Sequence, residues 1–113
     1  MTTIKSFTSL EQSKKLAEIL PLETADMYWY IAIKGNPKAM LNEGYNKYGD
    51  FELPCWSLAA LLSVLPNGIV MNKDSQNGRY HFSSTHAGTY VTTDNPVDAC
   101  VDIIIKLKER NLL

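Results

Sequence analysis

A chain of 113 residues with a formal net charge of -1 is long enough to bury a core without a metal or a disulfide framework, and one α+β domain is expected. Hydrophobic residues make up 45% and charged residues 20%, which excludes a disordered chain. No basic excess is present to neutralise a phosphate backbone, so nucleic acid is not an expected partner. No stretch reaches the roughly 18–20 apolar residues of a membrane span.

The opening MTTIKSFTSLEQ holds no apolar run of the signal-peptide kind, and a cytoplasmic protein is expected. Thr8-Ser9-Leu10-Glu11 reads as a capping box. It predicts a helix from about Ser9 to Leu20, with Leu10, Leu16, Ala17, Ile19 and Leu20 on its apolar side and Pro21 as its stop. Met27–Ile33, MYWYIAI, is aromatic and β-branched on both alternating faces, which predicts a strand inside a sheet. Lys38–Glu52 reads as a loop with room for one short helix, carrying Tyr45, Tyr48 and Phe51.

Leu53–Val70 follows. Between Trp56 and Leu65 only Ser57 and Ser63 are polar. A helix apolar on nearly all sides must be covered on several faces, so this stretch is expected to be a buried central helix, stopped at Pro66-Asn67-Gly68. Ile69–Lys73 and Arg79–Ser83 flank Asn77-Gly78, the signature of a hairpin. Gly88–Thr93 is a third strand of that group. Asn95-Pro96 opens a last helix with Val97, Cys100, Val101, Ile104 and Leu107 as its buried stripe. Ile103 and Ile105 widen that surface, toward either the central helix or a second subunit. The order α-β-α-β-β-β-α predicts a two-layer sandwich, a mainly antiparallel sheet of about four strands with helices on one face.

Cysteines Cys55 and Cys100 sit among apolar residues, where reduced, packed thiols are the usual state. Cys55 stands at the predicted start of the central helix, where amide groups lower a thiol pKa. Downstream, His86-Ala87-Gly88-Thr89-Tyr90 enters a strand. A helix-start Cys with a strand His resembles the layout of papain-like and NlpC/P60-type cysteine hydrolases, the latter through a His-x-Gly-x-Tyr pattern. That resemblance implies Cys55 as nucleophile and His86 as base, with Asp94, Asn95 or no third residue to orient the base.

His81, His86, Cys55 and Cys100 lack the spacing of a metal site, and no glycine-rich phosphate loop occurs, so no cofactor is expected. His81 reads as an ordinary half-exposed strand residue. Tyr28, Trp29, Tyr30, Tyr80 and Tyr90 either form a stacking platform or pack within the fold; packing is favoured because no Arg or Lys cluster accompanies them.

Four blocks, Leu10–Leu16, Thr24–Tyr28, Pro54–Leu58 and Asn95–Val101, resemble small uncharacterised proteins encoded by gut anaerobic bacteria and by their phages and mobile elements. The resemblance implies a phage or prophage accessory protein and no particular activity. Two functional classes follow. One is a protein-interaction module that binds a second copy or another protein, through Lys38–Glu52 and the exposed side of the last helix. The alternative is a hydrolase or transferase using Cys55 and His86. The reading leans away from an enzyme.

Overall fold

The computed structural model describes residues 6–31, 37–41, 52–84 and 88–113. In chain order it contains α1 (Leu10–Ala17), a 3-10 turn (Leu22–Thr24), β1 (Met27–Tyr30), β2 (Lys38–Leu41), β3 (Glu52–Cys55), α2 (Leu58–Val64), β4 (Ile69–Lys73), β5 (Tyr80–Ser84), β6 (Thr89–Thr93) and α3 (Pro96–Glu109). The fold is α+β, as expected. The strands form two antiparallel three-stranded sheets, β2-β1-β3 and β4-β5-β6, where about four strands in one sheet were predicted. Residues 32–36, 42–51 and 85–87 lie outside the described residues; with them go the end of the predicted MYWYIAI strand, most of the Lys38–Glu52 stretch, and His86.

The capping box sits one residue later than predicted. Ser9 is the N-cap of α1: its hydroxyl accepts from the Gln12 amide at 3.2 Å, and the Gln12 side chain accepts from the Ser9 amide at 3.0 Å. Thr8 is instead fully buried. Its amide donates to the Trp56 carbonyl at 2.9 Å, and its hydroxyl accepts from the Trp56 amide at 3.1 Å. The segment before α1 is thereby laced to the segment after β3, and a Phe7–Ser57 bridge extends the lacing.

β1 lies between β2 and β3, with Tyr28 opposite Met40 on one side and Pro54 on the other. Its aromatic, two-faced composition suits that central place. Pro54 lacks an N–H and is tolerated because β3 is an edge strand. The expected helix between Trp56 and Leu65 forms, but it is shorter and less covered than predicted. Leu53–Cys55 is strand, Ser57 is the N-cap, and α2 has only seven residues. The Ser57 hydroxyl accepts from the Ala60 amide at 3.2 Å and is held by the Asp26 carboxylate, which also accepts from the Ser57 amide at 2.9 Å. Leu65 precedes Pro66 and turns extended, with ψ of 138°, so the helix stops at Val64. Ala60 and Leu61 are buried, while Ala59 and Leu62 are exposed. The apolar run is shared between a strand and two helical turns, so it covers less of the core than one long helix would.

The central element is α3. Val97, Ala99, Cys100, Ile103 and Ile104 are fully buried, and Val101 and Leu107 nearly so. It packs on β5 and β6 and against α2. Asn95 caps it by accepting from the Val97 and Asp98 amides, and Gln12 of α1 donates to Asp98 at 2.8 Å. At its end Asn111 takes a left-handed conformation, φ 57°. Leu112 and Asn111 then donate back to the Leu107 and Lys108 carbonyls, a Schellman ending. Ile103 is buried within the chain and Ile105 is half-buried. The widened apolar surface of this helix therefore packs at home, and its exposed side presents Asp102, Lys106 and Glu109.

The β4–β5 hairpin forms as predicted. Gly78 has φ 71°, the left-handed turn conformation that glycine adopts without strain. Met71, Phe82 and Val91 share the row facing α3, while Asn72, His81 and Thr92 share a row on the outer face. No helix among the described residues is long and apolar enough to cross a membrane.

Candidate functional site

Cys55 ends β3, two residues before the Ser57 cap, and is fully buried. Its sulfur lies 3.5 Å from both the hydroxyl and the carbonyl oxygen of Thr8, and Ser13 Oγ sits 2.7 Å from that same hydroxyl. Burial pushes the thiol pKa up, against the lowering effect of the Thr8 and Ser13 hydroxyls. A covered, protonated thiol is poor equipment for nucleophilic attack. The expected activation by a helix start is not in place, since Cys55 belongs to a strand. His86 lies outside the described residues. Asp94 pairs with Arg79 at 3.1 Å and Asn95 caps α3, so both candidate orienting residues are engaged at the start of that helix.

Cys100 is fully buried in α3, and burial pushes its pKa up to about 12. Both cysteines are free. Neither should react with an electrophilic thiol probe at neutral pH while the protein is folded, and both should react in denaturant. The ordinary thiol pKa is 9.0, and only the unfolded Cys100 ionises just above it. Stability should therefore fall as pH rises from there toward about 12, as an equilibrium denaturation series would record. Labelling of Cys55 in the native state would contradict this packing.

The aromatic residues do not make one platform. Tyr28, Trp29 and Tyr30 belong to the first sheet and Tyr80 and Tyr90 to the second, on opposite faces. Trp29 donates to the Thr8 carbonyl at 3.1 Å and meets Phe7 edge to face, with ring centroids 5.7 Å apart. Tyr80 lies under the Lys73 ammonium, which is 5.3 Å from its ring centroid.

Two features stand out on the surface. The first is apolar. Val70 and Met71 on edge strand β4 are each 51% exposed, and Leu62 of α2 is 37% exposed. Beside them a groove of about 250 Å³ is lined by Leu58, Leu62, Met71, Tyr80, Phe82 and Pro96 among others. Met40 and Leu41 on edge strand β2 are exposed too.

The second is polar and lies on the outer face of the β4-β5-β6 sheet. His81 Nε2 stands 3.5 Å from Asp74 Oδ2, while Nδ1 stands 2.5 Å from the Tyr90 hydroxyl and 2.9 Å from the Thr92 hydroxyl. The Gln76 and Asn77 amides donate to Asp74, and these bonds, with a smaller effect from His81, hold its carboxyl below the usual range. His81 is a half-exposed strand residue, as expected, and it also joins Asp74, Tyr90 and Thr92. The signal was present in the sequence: the Asn77-Gly78 turn sets the register, and strand alternation then puts Asp74, His81, Tyr90 and Thr92 on one side.

Among the described residues no group of three His, Cys, Asp or Glu side chains is arranged to hold a metal ion. Comparisons with protein-family models, curated proteins and solved structures return no match for this chain.

Proposed function

We propose that this protein is a small protein-interaction module that associates with a second copy of itself through the β4 edge and the adjoining groove. The carrying observation is that Leu62 and Met71 are exposed and line an apolar groove beside edge strand β4, while Val70 is exposed on the other face of that strand. Such an edge offers unpaired backbone amides and carbonyls to an incoming strand. A net charge of -1 lets two identical surfaces approach without strong mutual repulsion, which favours a second copy as the occupant. The four sequence blocks that resemble proteins of gut anaerobes and their phages support an accessory role of the phage or prophage type. Two free, buried thiols are in keeping with a reducing, cytoplasmic setting.

Sedimentation velocity across a concentration series tests the reading. The wild-type chain should dimerise with rising concentration, and the double substitution Val70→Lys, Met71→Lys should remain monomeric with an unchanged circular dichroism spectrum. A wild-type chain that stays monomeric at the highest concentration overturns self-association. An extended segment of a different protein would then be the occupant to test on the same edge.

A further inference from the structure

The geometry points to Asp74, His81 and Tyr90 as a proton relay that makes the Tyr90 phenol oxygen a nucleophile toward small neutral activated esters. The three groups run in series. Asp74 meets His81 Nε2 at 3.5 Å, and His81 Nδ1 meets the Tyr90 hydroxyl at 2.5 Å. With the carboxylate beside it, Nε2 carries the proton of the neutral ring, and the Nδ1 lone pair faces the phenol. This is the nucleophile, base and orienting-group order of covalent catalysis, with tyrosine in the first place.

Accessibility supports the assignment. Tyr90 is 56% exposed, so its oxygen is within reach of a substrate, whereas Asp74 and His81 are more covered, with side chains 33% and 19% exposed. A polar hollow of about 580 Å³, lined by Asn72, Lys73, Asp74, Ser75 and Gln76, opens beside the carboxylate. Thr92 competes for the same imidazole nitrogen at 2.9 Å. The charge in the relay is the Asp74 carboxylate. The Lys73 ammonium lies over Tyr80 on the opposite face, and Lys106 donates to the Tyr90 main-chain carbonyl at 3.0 Å. An anionic phosphoryl donor would meet a carboxylate here, so a neutral ester is the favoured class.

In the acylation step Tyr90 Oη forms a bond to the ester carbonyl carbon as its proton passes to His81 Nδ1. The tetrahedral intermediate collapses, the bond to the leaving alcohol breaks, and the imidazolium proton goes to that alcohol. The products are acyl-tyrosine and alcohol. Water activated by the same imidazole then hydrolyses the acyl-tyrosine to carboxylic acid and free Tyr90.

Incubation with p-nitrophenyl acetate, read by intact mass and peptide mapping, tests the relay. In acid-quenched samples the expected result is one acetyl group on Tyr90, trapped before the slower hydrolysis releases it. Tyr90→Phe should abolish it. His81→Gln should slow it at least about tenfold, given the roughly 10²–10⁴-fold of general-base assistance. Asp74 is a positioning residue. In Asp74→Asn the rate should fall, and Asp74→Glu, which keeps a carboxylate to orient the ring, should restore most of it. Thr92→Val, which frees the nitrogen of its competitor, should label at least as fast as wild type; circular dichroism confirms that each variant folds. Acetylation confined to lysines, or Tyr90 labelling at equal rates in wild type and His81→Gln, overturns the proposal.

Discussion

Replacing Trp56 with alanine is expected to destabilise the protein by about 3–5 kcal/mol, the range for deleting a large buried aromatic side chain. The side chain is fully buried in the core shared by the helices and the second sheet. Its indole N–H donates to Thr24 Oγ1 at 2.9 Å, fixing the 3-10 turn after α1. Its backbone exchanges two hydrogen bonds with Thr8. The alanine variant keeps the backbone pair but opens a cavity in that core and leaves the turn unanchored. Trp56→Phe retains most of the packing and should lose distinctly less. Urea midpoints at unchanged m-value check both. A Trp56→Ala loss below about 1 kcal/mol would show that the site collapses around the deletion or is not closed in solution.

The second large effect is expected at Leu61, and its neighbour supplies the control. Leu61 is fully buried and Leu62 is 37% exposed. Leu61→Ala should cost about 2–5 kcal/mol. Leu62→Ala should stay within about 0.5 kcal/mol for the isolated chain, as surface substitutions usually do. Thermal melts at low protein concentration, where self-association contributes least, separate the two. Similar losses at both positions would mean that α2 is covered on more sides than this fold shows. That was the expectation from composition alone: ten greasy residues around Ala60 read as a helix wrapped all round.

The helix stands where that run placed it; what failed is its all-round cover, and the apolar residues just before it, Leu53–Cys55, are strand. Periodicity cannot separate a buried helix from a buried strand when a run is apolar throughout. The deciding residues were Pro54, at home in an edge strand, and Ser57, a helix N-cap three residues later. Where polar punctuation is unambiguous the sequence was a good guide. Asn77-Gly78 predicted the hairpin, and Asn95-Pro96 with the stripe Val97, Cys100, Val101, Ile104 and Leu107 predicted α3. Strand β2 was illegible because Lys38–Leu41 is mostly exposed and carries no alternation to betray it. The surface features were harder to read. Exposure of Met71 depends on where α3 stops covering its row, and the His81 cluster depends on hairpin register; both are tertiary consequences of local turns.

The lacing of Thr8 to Trp56 has a dynamic consequence. Sheet β4-β5-β6 sits directly under α3, whereas sheet β2-β1-β3 adds little to the common core and is joined to it chiefly through α1 and that laced segment. Loss of a few hydrogen bonds at Thr8 would let β1 and its partners exchange their amides with solvent while α3 stays closed, so the protein has a weaker and a stronger half with separate opening free energies.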